Sequence, residues 1–393
     1  MNDKPHAIII GAGFTGCATA HDLALRGFKV TVVDRGEICS GTSGRTHGLL
    51  HSGGRYCVTD QEAGIECIEE NILLRKIAKQ CIEFNGGLFV ALNEADLAFA
   101  PRFIAGAQAC HIPIEEIKPR DIKRLEPNLN PKVLLAFTVP DGSFDPLRLA
   151  LVFAATARKN GANFYVYHQV VSLIIDGQRK VSGIKVLDRT SGKELEIKGD
   201  IVINATGAWA GEIAEMAQAT VPVKPTPGVM VAYDQRVTER VINRLNEPSD
   251  GDIIIPQRRM AVIGTTSFEV KDVDYIPVTT EQIQQMNAAA YELVPKLKQA
   301  HVRGAYMSAR PLIGSSIQGR SLSRTFKCYD HQESNNLGGF VTITGGKATT
   351  CRGMAEKTAD LVCQKLGISA QCQTRETILS PYRDYYRCQG GVA

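Results

Sequence analysis

The chain has 393 residues, of which 44% are hydrophobic and 22% are charged, and its formal net charge is +4. This is a globular composition with the length of two or three domains. The weak positive bias suits a small anionic substrate, and the absence of any lysine- or arginine-rich block argues against nucleic-acid binding. Because neither a signal peptide nor an apolar run of ~18 residues is evident, we expect a cytoplasmic protein with at most peripheral contact with the inner face of the cell membrane.

The eleven cysteines are scattered along the chain, and no two of them form a C-x-x-C pair. Zinc and iron–sulfur sites usually contain such close pairs, so we expect no metal in this chain. Disulfides are rare in cytosolic proteins with a large core, and free thiols are therefore the expected state.

The first elements in chain order are typical of a dinucleotide-binding unit. An apolar strand at residues 6–10 leads into a glycine motif, a helix that ends near Arg26, and a second strand at residues 29–33 that ends at Asp34. The motif glycines permit a tight turn, close approach of a pyrophosphate, and packing of the helix on the strand. The helix N-terminus attracts the pyrophosphate, and the acid can accept a hydrogen bond from a ribose hydroxyl. The motif glycines are Gly11, Gly13 and Gly16.

The middle of the chain predicts further helices and strands. After a loop at 40–47 we expect a helix over 62–84, a strand over 87–92, a helical segment over 101–127 and a helix over 146–160. Strands over 164–176, 181–188 and 194–197 are joined by glycine-containing turns, which is typical of a β-meander. A buried strand over 201–204 then leads into Ala205-Thr206-Gly207.

The last third returns to glycine-rich texture after a stretch of short strands. A helix is predicted over 281–293, with Thr279 and Gln282 forming a capping box at its start. Residues 338–347 again place glycines at a strand end before a helix that reaches about Leu366. The tail after Cys372 is polar and is predicted to be weakly structured.

Several of these strings together resemble a known family. They are GAGFTG…VVDRG, GRTHGLLHSGGRY, NATGAWA, SARPLIG and TGGKATT, and they follow one another in order to about Leu366. The chain resembles the D-amino-acid-oxidase-like flavoproteins, and within them the FAD-dependent glycerol-3-phosphate dehydrogenases, with the large subunit of the anaerobic enzyme nearest.

The resemblance implies an α/β protein with a p-hydroxybenzoate-hydroxylase-like fold. A discontinuous FAD-binding Rossmann domain would comprise residues 1–86, 142–215 and 335–372. A mixed-sheet α+β substrate domain would comprise 87–141 and 216–334, followed by a tail at 373–393. The implied reaction is hydride transfer from C2 of sn-glycerol 3-phosphate to flavin N5, which gives dihydroxyacetone phosphate, with electrons passing to a quinone or a partner subunit.

The glycine motif alone does not separate NAD from FAD, but the loop after Asp34 favours FAD because it can hold a second phosphate and the ribityl chain. The predicted FAD-binding residues, from motifs and resemblance together, are Gly11, Gly13, Phe14, Thr15, Gly16, Asp34, Arg35, Thr42, Ser43, His47, Gly48, Leu49, Val170, Val171, Ala205, Thr206, Gly207, Trp209, Gly345, Gly346, Lys347, Ala348 and Thr349.

A phosphorylated polyol brings about two negative charges, and arginine suits bidentate phosphate contacts. The resemblance places substrate contacts at Arg55, Tyr56, Arg310, Arg324 and Lys347. Removal of the hydroxyl proton needs a base, and a neutral imidazole is available near pH 7. We therefore predict His51 and Arg310 as catalytic, although His51 could equally serve only as a hydrogen-bonding partner of the flavin.

Three departures from the family pattern leave alternatives open. The cysteine-rich iron–sulfur region of the anaerobic subunit has no counterpart before Ala393, Thr350 is followed by Cys351 where the family has tyrosine, and a histidine of the aerobic relatives has no match near residues 233–252. One alternative is a related oxidoreductase acting on a 2-hydroxy acid, such as 2-hydroxyglutarate, or on an amine. Another is an FAD-binding electron-transfer subunit with little activity of its own.

Overall fold

The computed structural model describes residues 4–268, 270, 272–314 and 325–387, so the predicted substrate residue Arg324 lies outside the described part. The strands are β1 (His6–Ile10), β2 (Lys29–Val33), β3 (Leu49–Leu50), β4 (Ile82–Glu83), β5 (Gly87–Ala91), β6 (Glu115–Ile117), β7 (Leu135–Val139), β8 (Gly142–Phe144), β9 (Asn163–Tyr165), β10 (His168–Ile175), β11 (Val181–Asp188), β12 (Glu194–Lys198), β13 (Ile201–Asn204), β14 (Val223–Tyr233), β15 (Val241–Arg244), β16 (Ile253–Gln257), β17 (Met260–Gly264), β18 (Val302–Ile313), β19 (Phe326–Asp330) and β20 (Phe340–Gly345).

Helices connect or cover these strands. They are α1 (Phe14–Leu25), α2 (Gln61–Ile77), α3 (Glu94–Ala109), α4 (Pro119–Leu125), α5 (Pro146–Lys159), α6 (Ala210–Glu215), α7 (Thr280–Leu293), α8 (His331–Asn335), α9 (Cys351–Leu366) and α10 (Asp384–Arg387). Short 3₁₀ turns lie at Thr42–Arg45, Lys79–Cys81, Gly207–Trp209, Pro295–Gln299 and Ala348–Thr350.

One large sheet has six strands in the order β19-β20-β13-β1-β2-β9. Its neighbouring strands are parallel except at the edge, where β19 runs antiparallel to β20. The two faces of β1 enter different cores, because side chains alternate along a strand. Ala7 and Ile9 pack with α1, α5 and α9, whereas Ile8 and Ile10 pack against the three-stranded meander β10-β11-β12. Both faces of this sheet are therefore covered, as an α/β fold requires.

The other large sheet has eight strands in the order β18-β14-β17-β16-β15-β5-β7-β6. It is a mixed sheet, because β5 and β15 pair in parallel while other pairs are antiparallel. Helix α7 covers one face through Met286, Ala290 and Leu293. Its predicted capping box is confirmed, since Thr279 and Gln282 exchange both hydrogen bonds. The mixed α/β fold is thus as predicted, while the domain boundaries stay a prediction.

Several element boundaries were predicted wrongly, for local backbone reasons. The helix expected over 62–84 ends at Ile77 and gives way to a 3₁₀ turn and β4. The segment 101–127 contains the C-terminal part of α3, followed by β6 and α4, because the chain turns at His111 with a φ of 56°. The strand expected over 164–176 is divided between two sheets at Tyr167, which has a φ of 58°. His111 and Tyr167 each adopt the left-handed backbone conformation, which divides the predicted element at that residue.

The tail is more ordered than predicted up to residue 387. Leu379 and Tyr385 are buried in the core beneath α1 and α5, and the Leu379 amide donates to the Ile77 carbonyl at 3.0 Å. Within the described ranges, none of the helices combines the length and the apolar character needed to cross a bilayer.

Candidate functional site

A cavity of about 1020 Å³ lies between the two large sheets. On one side it is lined by residues at the carboxyl ends of β1, β2, β13 and β20, and on the other by side chains of β14, β16 and β18. Ligands of open α/β sheets bind at the carboxyl ends of the strands. The volume and position therefore suit a large cofactor with a substrate beside it.

The glycine motif packs so closely on its neighbours that a side chain at any of its three glycines would collide with the protein itself. Gly11 has a φ of +103°, and an added Cβ would lie 2.7 Å from the carbonyl oxygen of Ala205. At Gly13 a Cβ would lie 2.8 Å from Ser43 Oγ, and at Gly16 only 1.8 Å from the Gly11 carbonyl oxygen. The first turn of α1 contains no acidic residue that would offset the positive end of the helix dipole. The cradle fits a pyrophosphate.

Asp34 ends β2 at the same edge and lines the cavity. Its Oδ2 accepts from the Ala12 amide at 2.7 Å and its Oδ1 accepts from the Gly36 amide at 2.8 Å. Burial raises the pKa of Asp34, and the two amides act in the opposite direction. An ionised carboxylate has about four acceptor positions, so it can still receive a ribose hydroxyl.

The loop after β2 forms hydrogen bonds with both α1 and β18. The Ser43 hydroxyl accepts from the Phe14 amide at 3.0 Å, and the Thr42 hydroxyl donates to the Ala309 carbonyl of β18 at 2.8 Å. These bonds fix the loop beside the N-terminus of α1. The predicted hydroxyl groups thus lie at the cavity wall.

Arg35 and Trp209 meet an acid that the sequence motifs did not reveal. The Arg35 guanidinium lies 4.6 Å from the centre of the Trp209 ring and pairs with Asp274. The Trp209 indole donates to the same carboxylate at 3.0 Å. All three line the cavity, so a residue that follows β17 meets residues that follow β2 and β13.

His47 is held as a neutral imidazole. Burial, reinforced by Arg310 and Arg55, lowers its pKa to about 3. Its Nδ1 accepts from the Leu49 amide at 3.1 Å, which places the ring proton on Nε2. At neutral pH the group is a hydrogen-bonding residue of fixed orientation.

His51 lies 6.0 Å from His47, measured between ring centres. Its Nε2 is 3.4 Å from the hydroxyl of Tyr56, and its backbone amide donates to Thr349 Oγ1 at 3.0 Å. The side chain is 8% exposed and lines the cavity. A ring nitrogen in this position can exchange a proton with a group bound in the cavity.

Two of the predicted cationic residues are arginines held by other protein groups. Arg55 forms a buried ion pair with Asp252 at 2.7 Å. Arg310 donates to the carbonyl oxygens of Thr226, Pro227 and Thr266 and to the hydroxyl of Thr265. These contacts lock the guanidinium planes, which a pre-organised anion site requires.

Lys347 follows β20 and completes the positive group. Its Nζ lies 4.9 Å from the centre of the Tyr56 ring and 4.0 Å from Glu66 Oε2 on α2. The Lys347 side chain is 8% exposed. Arg55, Arg310 and Lys347 therefore bring positive charge to the part of the cavity that also contains His51 and Tyr56.

Most of the predicted residues line this cavity. Exceptions among the cofactor residues are Gly16, Gly48, Val171 and Thr349, which are absent from its wall. Gly16 does not face the cavity, but it allows α1 to pack closely against the turn at Gly11. Val171 is 37% exposed to solvent. Residues of the cavity wall that the motifs missed include Gln169, Arg189, Met230, Thr265, Asp274 and Ser308.

Comparison with known proteins agrees with this geometry. The family model DAO, FAD dependent oxidoreductase, matches residues 6–361. The chain is 39% identical over 398 residues to a subunit of the anaerobic glycerol-3-phosphate dehydrogenase of Haloferax volcanii, covering 98% of this chain and 68% of the relative. It is 40% identical over 376 residues to a subunit of the anaerobic glycerol-3-phosphate dehydrogenase of Escherichia coli K12, covering 95% of this chain and 69% of that relative.

Among solved structures, the glycerol-3-phosphate dehydrogenase of Bacillus halodurans complexed with FAD superposes with a TM-score of 0.75 at 25% identity. The superposition covers 98% of this chain and 71% of that one.

Proposed function

The chain belongs to the DAO family of FAD-dependent oxidoreductases, and on that premise we propose that it oxidises sn-glycerol 3-phosphate to dihydroxyacetone phosphate. The observation that carries this proposal is the continuous cavity, which joins a pyrophosphate cradle to a cluster of cationic side chains. When bound, FAD would supply a flavin ring whose N5 could accept a hydride from C2 of the substrate.

The FAD contacts that we propose follow from the shape of the cavity. Gly11, Gly13 and the N-terminus of α1 would face the pyrophosphate, and Asp34 would accept from the ribose. Gly345, with a φ of +88°, lets the backbone after β20 line the same cavity, and we propose that it lies beside the flavin ring. The other residues predicted from the sequence to bind FAD remain proposed FAD contacts.

The substrate would lie against Arg55, Arg310 and Lys347. A phosphate monoester carries close to two negative charges at pH 7, and one guanidinium suffices for a carboxylate. Three cationic side chains near His47 and Tyr56 in the cavity wall therefore favour phosphate over a simple hydroxy acid. Arg324 remains a proposed fourth contact from outside the described residues.

His51 is the proposed base. The hydride leaves C2 only as the adjoining hydroxyl gives up its proton, and a neutral imidazole can accept it. Tyr56 would keep the ring in place through its hydroxyl contact at 3.4 Å. Arg310 would stabilise the negative charge that develops on the substrate oxygen.

Repeated turnover of an oxidation of this kind would require an electron acceptor. The relatives in Haloferax volcanii and Escherichia coli are named as subunits of an anaerobic enzyme. We propose that this chain likewise passes electrons to a partner subunit or a quinone, in the cytoplasm and in peripheral contact with the membrane.

Anaerobic reduction tests the substrate. Adding sn-glycerol 3-phosphate to the FAD-loaded protein should bleach the absorbance at roughly 450 nm. Glycerol and 2-hydroxyglutarate are matched controls, since one lacks the phosphate and the other replaces it with a carboxylate. Bleaching by 2-hydroxyglutarate or by an amine at far lower concentration than by the phosphate ester would overturn the assignment.

A further inference from the structure

Lys347 contacts a carboxyl group outside the cavity wall. Glu66 lies on α2, one turn beyond the start of that helix, and its Oε2 is 4.0 Å from Lys347 Nζ. This oxygen is shielded from solvent and has no hydrogen-bond partner among the described residues. The distance is an ion-pair contact that is too long for a hydrogen bond. The carboxylate can therefore attract the ammonium group without tying up its donors.

The surroundings of Glu66 oppose its ionisation. Burial raises its pKa to about 7, and the ammonium of Lys347 acts in the opposite direction. Asp60, Glu62 and Glu70 raise the pKa further. Near neutral pH the carboxyl is consequently divided between its charged and neutral forms, which is unusual for a glutamate.

We propose that Glu66 is a positioning residue that holds the Lys347 ammonium at the substrate end of the cavity and takes up a proton when an anionic substrate binds. The inference rests on the proposed function, since it assumes that Lys347 faces a phosphate. With Glu66 charged, the pair is neutral and the carboxylate competes with the substrate for the ammonium. With Glu66 protonated, the full positive charge of Lys347 serves the substrate.

This arrangement has a definite sign with pH. A bound phosphate disfavours the glutamate anion, so binding raises the pKa of Glu66 and draws a proton from solution. Well below pH 7 the carboxyl is already neutral and does not oppose binding. Above pH 7 most molecules carry the charged carboxylate, so binding is accompanied by partial protonation and affinity falls relative to an enzyme that lacks this carboxyl.

The test compares Glu66→Gln with the wild type. Dihydroxyacetone phosphate cannot reduce the flavin, so its dissociation constant can be read from the flavin spectrum between pH 5.5 and 8.5. The wild-type constant divided by that of Glu66→Gln should be close to one at low pH. It should rise by roughly three- to tenfold above pH 7, as expected for a partly buried charge pair.

Glu69→Gln is the matched control, because Glu69 lies on the exposed face of the same helix. Its ratio to the wild type should stay flat with pH. A flat ratio for Glu66→Gln as well would overturn the inference. A ratio for Glu66→Gln that differs from one by the same factor at every pH would indicate a structural role only, and it would also overturn the inference.

A wild-type measurement keeps the inference testable if Glu66→Gln does not fold. Calorimetry in two buffers with different ionisation heats counts the protons that accompany binding. At pH 7.5 the ligand is already a dianion, since phosphate monoesters lose their second proton near pH 6, and about half a proton should be taken up. Zero uptake contradicts the inference.

Failure of the proposed function looks different from failure of this inference. In the first case glycerol 3-phosphate does not bleach the wild-type flavin. In the second case it does, while proton uptake and the pH-dependent ratio are both missing.

Discussion

Removing the negative charge of Asp252 should destabilise the protein strongly. Its Oδ1 is 2.7 Å from Arg55 Nη2, and the two side chains are 2% and 8% exposed. Asp252 also accepts from the amide and hydroxyl of Ser249. Asp252→Asn leaves a buried guanidinium without its counter-charge, and breaking a buried pair in this way costs about 3–5 kcal/mol.

The size of the effect on melting can be worked out. Unfolding entropy is about 2.1 cal/mol/K per residue. For a chain of 393 residues that unfolds cooperatively, the loss corresponds to a melting temperature lower by about 4–6 °C. Differential scanning calorimetry of the FAD-loaded protein measures this directly.

Glu196→Gln provides the control, because Glu196 pairs with Lys185 at 3.7 Å on the surface and both side chains are well exposed. Exposed pairs contribute at most about 1 kcal/mol, so melting should shift by about 1 °C or less. If Asp252→Asn shifts melting no more than this control does, the reasoning about the buried pair is refuted.

The same variant links stability to binding. An anionic ligand that reaches Arg55 supplies the charge that Asp252→Asn removes. Dihydroxyacetone phosphate should therefore raise the melting temperature of Asp252→Asn by more than that of the wild type. An equal or smaller rise would mean that Arg55 does not meet the ligand.

Three further predictions concern the cofactor and the core. Gly13→Ala should weaken FAD binding by about tenfold or more, since the added methyl would lie 2.8 Å from a serine oxygen; Gly177→Ala, where a Cβ meets nothing within 4 Å, is the control, and equal FAD content in the two would refute the cradle. His21→Phe should raise the free energy of unfolding by about 1–3 kcal/mol, because both ring nitrogens are buried and have no hydrogen-bond partner among the described residues. Burial lowers the pKa of His21 to about 4, so the wild type loses stability as pH falls from 6.5 towards 4, and this loss should be smaller in His21→Phe. Denaturant melts of the two proteins that change in parallel between pH 7 and pH 5 would contradict this prediction. Asp274→Asn should speed FAD release by roughly two- to fivefold, as expected for an exposed ion pair with Arg35, and an unchanged release rate measured by flavin fluorescence would exclude the contact.

The local backbone structure around the glycine motif was predicted well from the sequence. The strand, glycine turn, helix, strand and Asp34 follow one another within 30 residues, so their arrangement depends on short-range geometry. The capping box at Thr279 is likewise a local hydrogen-bond pattern. Such features depend only on neighbours in the chain and can be read without knowing the fold.

The parts that sequence reasoning missed depend on distant contacts. Asp252 is 197 residues from Arg55, and Asp274 is 239 residues from Arg35. Glu66 gains its proposed role only because α2 packs beside the turn that follows β20. No spacing rule connects such pairs, since the sheets bring them together. The likeness to a family supplied the cationic residues but not the acids that hold them.

We infer that one cavity holds a nucleotide diphosphate at the N-terminus of α1 and a phosphate ester against Arg55, Arg310 and Lys347. A crystal structure of the protein with FAD and dihydroxyacetone phosphate tests it most directly. We predict that the pyrophosphate lies against Gly11 and Gly13, and that the ligand phosphate lies within hydrogen-bond distance of Arg310 or Lys347. A phosphate bound elsewhere, with those cationic groups directed away from it, would contradict the account.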